Sequence, residues 1–311
     1  MLDSSTQSSS SQSILSQSQT DEDVRQRIFN PANVPLAGAE CGILEHPESS
    51  QEEVQVDEKL MGPLPKSDEP LFKGFGFILT KTTKALEVPE EKMTDILEQY
   101  QEQSPPYNKS YIKQQLEAGG GVVLERFDQL FMETDITILV ICNRPCRTER
   151  YIRSLAANIR AVSHLWVYDC CKSNKQLPWR SYGLPSGIDL DGNVVEWSPT
   201  TGRCLNGTRI LLTGPRLFLD LWQPILMQAQ CVVVFRLPAT GQGAEEVEMT
   251  ASQDVPPDYV VTTAECPARI VEQAKRMKIP VVSSEWVIQS LMHGRKLKPT
   301  DKAQFDYKYA P

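Results

Sequence analysis

Histidine is scarce: only His46, His164 and His293 occur in 311 residues, far apart in the chain. The eight cysteines form no C-x-x-C pair. A structural zinc site therefore has no ligand spacing to use, and the thiols read as reduced and buried in an intracellular protein. Long apolar runs are missing as well, and none approaches the roughly 20 residues that cross a bilayer. The first twenty residues are polar, which offers no secretory leader. Gly119-Gly120-Gly121 is not followed by the Gly-Lys-Ser/Thr of a phosphate loop. Ser163, His164 and Asp169 crowd one short stretch, too local for a catalytic triad. No metal, no cofactor and no enzymatic activity are expected.

Positive charge is in short supply where a nucleic-acid coat would need it. Asp and Glu total 40 against 32 Lys and Arg, a net charge of −8. Residues 1 to 70 hold 13 acids and 4 bases, which leaves 27 acids and 28 bases for the rest of the chain. Sequence-independent binding needs several Lys or Arg contacts to phosphates. Direct nucleic-acid binding is therefore disfavoured, and any basic function must be local.

What is present falls into two kinds of sequence. Residues 1 to 68 are rich in Ser, Gln, Glu and Pro, have Phe29 as their one aromatic, and show no sustained period. They read as a disordered segment. Inside it stand Thr6-Gln7, Ser11-Gln12, Ser16-Gln17, Ser18-Gln19 and Ser50-Gln51, which chance in a Ser/Gln tract can produce and which also resemble the sites that DNA-damage checkpoint kinases prefer.

From Leu71 the texture changes. GFGFILT (74 to 80) is a short apolar strand followed by a polar loop. Residues 81 to 106 are charged and Pro-punctuated, an insertion. Asn108 or Ser110 can cap a helix carrying Ile112 and Leu116, ended by Gly119 to Gly121. GVVLE (121 to 125) and DITILVIC (135 to 142) are strands, RTERYIRSLAAN (147 to 158) is a helix, and RAVS is a brief strand leading into a helix at Trp166. The same order then repeats: TRILLTG, a helix from Arg216 to Gln228, CVVVF, an acidic loop from 236 to 256, DYVVT, PARIVEQAKRMK, PVVS, and a helix at Trp286. AVSHLWVYDC at 161 and VVSSEWVIQS at 281 lie 120 residues apart and share Val, Ser, Trp and Val in register. Unbroken apolar strands in a β-α-β-β-α-β-α order predict an α/β fold, a parallel sheet covered on both faces, built twice.

A tryptophan on the last helix of each copy, the Gly119-Gly120 turn and this strand order together resemble the BRCT repeat. The resemblance implies two BRCT domains, each a four-stranded parallel sheet flanked by helices. Repeat 1 is assigned to 69–183, a linker to 184–202 and repeat 2 to 203–304. Trp166, Trp286, Gly119 and Gly120 are then structural. MQAQC (227 to 231) lacks the glycine pair, which leaves the turn in repeat 2 open to a different form. FKGFGFILT, CRTERYIRSLA and SSEWVIQSL most resemble the BRCT pairs of p53-binding checkpoint mediators, which implies a nuclear adaptor on chromatin.

The resemblance also implies a phosphopeptide site in repeat 1 alone: Thr80, the Lys81 amide, Thr148 and Arg150, with Arg147 as the residue of the peptide groove. Arg150 stands where family members use Lys. A phosphoserine carries about −1.5 to −2 charge and three acceptor oxygens, so hydroxyl, amide and cationic donors at a helix N-terminus suit it. Arg144, Arg147, Arg150 and Arg153 recur every third residue; Arg153 is expected on a solvated helix face. At the 120-residue interval Ala268 and Ile270 replace Thr148 and Arg150, so repeat 2 lacks the donors. The expected partner is a phosphorylated histone or another phosphoserine protein. The alternative is phosphate-independent docking of a folded partner such as p53 on repeat 1 and the linker.

Overall fold

The computed structural model describes residues 56–66, 70–84, 104–127, 135–235 and 255–309, with isolated positions at 88, 91, 98 and 129. The Ser-Gln and Thr-Gln pairs, and most of the segments 81 to 106 and 236 to 256, lie outside the described residues. In the first repeat β1 (Phe75–Leu79), α2 (Lys109–Ala118), β2 (Val122–Val123), β3 (Thr137–Cys142), α3 (Glu149–Ala156), β4 (Ala161–Ser163) and α4 (Leu165–Ser173) follow a short helix α1 (Glu58–Met61). The linker holds a small antiparallel pair, β5 (Gly187–Ile188) and β6 (Val194–Val195). The second repeat runs β7 (Arg209–Leu212), α5 (Arg216–Gln228), β8 (Val232–Val234), β9 (Tyr259–Val261), α6 (Ala268–Arg276), β10 (Val281–Val282) and α7 (Ser284–His293).

Both sheets are four-stranded and parallel, with the order β2-β1-β3-β4 in one and β8-β7-β9-β10 in the other. Strand periodicity assigns the faces. Phe77, Leu79, Leu139 and Ile141 enter a core with Ile112, Leu116 and Trp166, while Ile78, Val140 and Cys142 point the other way, toward Ile152 and Leu155 of α3. That second core does not stop at the repeat. It continues through Phe218, Trp222, Trp286 and Leu291, because α3 packs on α5 and α7 of repeat 2. One helix of the first repeat is thus shared by two domains.

The duplicated tryptophans make the same bond. Trp166 Nε1 donates to Leu177 O and Trp286 Nε1 to Leu297 O, both at 2.9 Å and both eleven residues downstream. Each indole is wholly buried. Their surroundings differ: Trp166 sits in the core of its own repeat, Trp286 in the one that spans the junction.

The turn in repeat 2 takes the same form as its counterpart. Gly119, Gly120 and Gly121 donate to Gln115, Glu117 and Leu116, and Ala229, Gln230 and Cys231 donate to Ile225, Met227 and Leu226 in the same pattern. Gly120 has φ +79° and Gln230 φ +60°, so Gln230 accepts a left-handed backbone that costs a side chain roughly 1–2 kcal/mol. Gly119 serves packing instead, since a Cβ there would lie 2.5 Å from Phe72.

Two sequence expectations need correction. Residues 1 to 68 do not all lack structure: Asp57 caps α1, Met61 is buried, and the Gly62 carbonyl accepts from Tyr111 Oη (2.8 Å) and Gln115 Nε2 (3.0 Å). A four-residue helix is too short to show a period, and its partners lie some fifty residues away. Nor is Arg153 on a solvated face. Its guanidinium stacks 4.3 Å over Phe127, pairs with Glu149 and bonds Gln228 of repeat 2. The linker is also packed, with Leu184, Ser186 and Thr201 buried and Tyr151 Oη donating to Pro185 O. Beyond residue 304 the chain still pairs with repeat 2, through Phe305 O and Asp306.

Candidate functional site

β1 and β3 end side by side at the carboxyl edge of the first sheet, where open parallel sheets hold ligands. Thr80 still donates its N–H to Ile141 O, so Lys81 is the first residue past the ladder and is half-buried. Beyond β3 the chain turns through Asn143, whose amide clamps Thr82 by accepting its N–H (3.0 Å) and donating to its carbonyl (2.8 Å). It then enters α3, with Thr148 as the N-cap. Thr148 Oγ1 accepts from Tyr151 N at 3.3 Å, as an N-cap hydroxyl does.

These two segments bring the hydroxyls of Thr80 and Thr148 to 2.9 Å from each other, 68 residues apart in sequence. Arg150 lies beside them: Nη1 donates to Leu79 O (3.1 Å) and Nη2 to Glu125 O (2.9 Å). The guanidinium is therefore held by two carbonyls, one from the very end of β1. A lysine could satisfy only part of that frame. Thr80, Thr148 and Arg150 are together; Lys81 adjoins them.

Arg147 points elsewhere, across the junction, where its Nη2 pairs with Glu285 Oε1 on α7. Glu285 is buried and also accepts from Gln289 Nε2 at 2.8 Å. Sequence reasoning missed Glu285 and Asn143. Glu285 left one signal, an acid inside the helix VVSSEWVIQS, which is buried from Ser284 to Met292.

In repeat 2 the backbone frame is equivalent, since Thr213 N donates to Val261 O as Thr80 N does to Ile141 O. The chemistry is not. α6 starts at Pro267 with no side-chain cap, Ala268 is exposed, and Ile270 packs toward Leu211 and Val260.

His164, at the far side of β3, does not join Ser163 and Asp169 in any triad. It is fully buried, Nε2 lies 3.0 Å from Pro105 O, and the rings of Tyr107 and Tyr168 stand 5.3 Å away. Asp169 instead accepts from Tyr182 Oη. Burial, opposed by the Pro105 carbonyl, pushes the imidazole pKa down to about 4. The unfolded chain, with a His pKa of about 6.5, binds the proton first, so stability is lost as pH falls from about 6.5 toward 4, by about 3 kcal/mol. Urea unfolding of the wild type and His164→Gln should show the stability gap between them narrowing over that interval. A constant gap would contradict the neutral buried histidine.

The BRCT domain family model matches residues 70–183, and that of the BRCA1 C Terminus (BRCT) domain matches residues 203–310. The chain carries a tandem pair of BRCT domains. Among solved tandem BRCT structures it is similar to yeast Rtt107 in complex with a phosphorylated histone, at 14% identity over 79% of this chain and 96% of that one, TM-score 0.41. It is also similar to BRCT5-BRCT6 of S. pombe Brc1, at 14% identity over 72% and 94%, TM-score 0.42. Likeness at this level carries no residue role from those proteins to this tandem BRCT chain. Among the described residues no group of three His, Cys, Asp or Glu side chains could hold a metal, and no helix is long and apolar enough to cross a membrane.

Proposed function

We propose that this tandem BRCT module is a non-enzymatic adaptor of the DNA-damage response in the nucleus. In this reading it binds phosphoserine peptides, a phosphorylated histone tail among them, through Thr80, the Lys81 amide, Thr148 and Arg150. The observation that carries the reading is the Thr80–Thr148 hydroxyl pair at 2.9 Å, set at the N-terminus of α3 beside the Arg150 guanidinium. With Thr148 donating to Thr80, the Thr80 proton is left for a phosphate oxygen. The amide dipoles of α3 and the fixed cation add attraction for a dianion. Arg147, anchored on Glu285, lines the junction that the residues after the phosphoserine would follow.

Isothermal calorimetry with a C-terminal histone-tail peptide, phosphorylated or not at its Ser-Gln, tests the proposal. Binding of the phosphorylated form alone is expected. Equal binding of both forms would reject the site. Phosphatase treatment separates the alternative, because a folded partner such as p53, docked on repeat 1 and the linker, would stay bound.

A further inference from the structure

Two thiols lie beneath the hydroxyl pair. Cys142 ends β3 and Cys146 stands two residues before the Thr148 cap; both are buried, and their Sγ atoms are 3.7 Å apart. Cys146 Sγ in turn lies 3.5 Å from Thr148 Oγ1. The contacts run without a gap from Cys142 through Cys146 and Thr148 to Thr80. We propose that Cys142 and Cys146 are a reversible oxidation site, which peroxide closes to a disulfide that displaces Thr148 from its position beside Thr80.

Three further observations support the assignment. The loop between the cysteines is the one that carries Asn143, Arg144 and Pro145 into the site, so its shape sets where Thr148 begins α3. The buried Tyr107 hydroxyl has no hydrogen-bond partner among the described residues, and both thiols add to the burial that raises its pKa. At the 120-residue interval repeat 2 has Cys266 but Thr262 in place of Cys142. The thiol pair therefore occurs only in the repeat that carries the hydroxyl pair.

The order of events follows from exposure. Burial pushes the Cys142 thiol pKa up, and Cys142 has no exposed surface while Cys146 keeps 6%. Cys146 sulfur attacks one peroxide oxygen, the O–O bond breaks, and a sulfenic acid and water form. Cys142 sulfur then attacks Cys146 sulfur, the S–O bond breaks, and the second water leaves with the Cys142 proton. Two electrons pass from the thiols to one hydrogen peroxide. The sulfurs close from 3.7 Å to about 2.05 Å. Cys146 is drawn away from Thr148, and Cys142 loses its bond to Arg144 O (3.0 Å).

The proposal rests on the binding reading only for its effect on affinity. The full chain is treated with hydrogen peroxide and analysed by non-reducing peptide mass spectrometry, by the Thr148 amide resonance and by phosphopeptide calorimetry. A 142–146 bridge, two hydrogens lighter and reversed by dithiothreitol, is expected together with a shifted Thr148 amide. Phosphopeptide affinity should drop about tenfold, as for loss of one hydrogen bond to a charged group. Cys142→Ala, folded by circular dichroism, should form no bridge under peroxide and should instead hold Cys146 as a sulfenic acid that dimedone traps. Failure to form the bridge, or a bridge that leaves the Thr148 amide in place, overturns the proposal. If the reduced chain binds no phosphopeptide while the bridge forms and the amide moves, the binding reading fails and the oxidation site stands.

Discussion

Arg150→Glu is expected to abolish phosphopeptide binding, with a loss of more than about 3 kcal/mol, or over a hundredfold in Kd. The change withdraws the cation that stands beside the Thr80–Thr148 pair and puts a like charge where the phosphate dianion would sit. It also frees the carbonyls of Leu79 and Glu125, which Arg150 holds at 3.1 and 2.9 Å. Two controls separate these effects. Arg150→Gln removes the charge while keeping a donor for one carbonyl, and should bind weakly. Arg150→Lys keeps the charge and loses the fork, and should retain most affinity. Calorimetry with one phosphopeptide across the three variants reads the order Lys above Gln above Glu; binding by Arg150→Glu at the wild-type level would remove Arg150 from the site. In repeat 2, Ile270→Glu should leave affinity unchanged and lower stability instead, because Ile270 packs against the Leu211 and Val260 core.

Trp286→Ala lowers the unfolding free energy by about 3–5 kcal/mol. The indole is wholly buried, stacks at 4.3 Å on Tyr259 and satisfies Leu297 O. Its removal leaves a cavity and an unpaired carbonyl, each costly by itself. The loss should reach both repeats, since Trp286 lies in the core that also holds Ile152 and Leu155 of α3. At roughly 2–4 °C per kcal/mol for a chain of this size, the melting temperature falls by about 10 °C. Trp166→Ala should cost a similar amount, confined to its own repeat. A Trp286→Ala protein that melts at the wild-type temperature would refute the structural role.

Much of this architecture is legible from residue pattern. Short apolar runs bounded by polar turns, such as TILVIC, rich in β-branched residues, and RILL, read as strands covered on both faces, and they are β3 and β7. Asn108 or Ser110 is the expected cap of α2, and Asn108 is the one whose side chain caps it, as Thr148 does for α3. Gln230 shows where pattern misleads: no glycine marks the turn, yet the backbone turns as at Gly120 and a polar side chain bears the strain. Arg153 misled for another reason. A periodic row of arginines looks solvated until a second domain covers it, and nothing local to that helix records the approach of α5.

What the sequence determined by itself was local: the strand and helix periods, the caps, the duplication at 120 residues, and the loss of donors at Ala268 and Ile270. The periods and caps are written within one turn or one strand, where covalent spacing fixes which side chains are neighbours, and the duplication only repeats that local pattern. Tertiary structure decided the rest. It set the 2.9 Å approach of Thr80 to Thr148, the seat of Arg150 on two carbonyls, the pairing of Arg147 with Glu285, and the docking of Met61 and Gly62. These contacts join residues 25 to 138 positions apart, and such distances close only when sheets and helices pack.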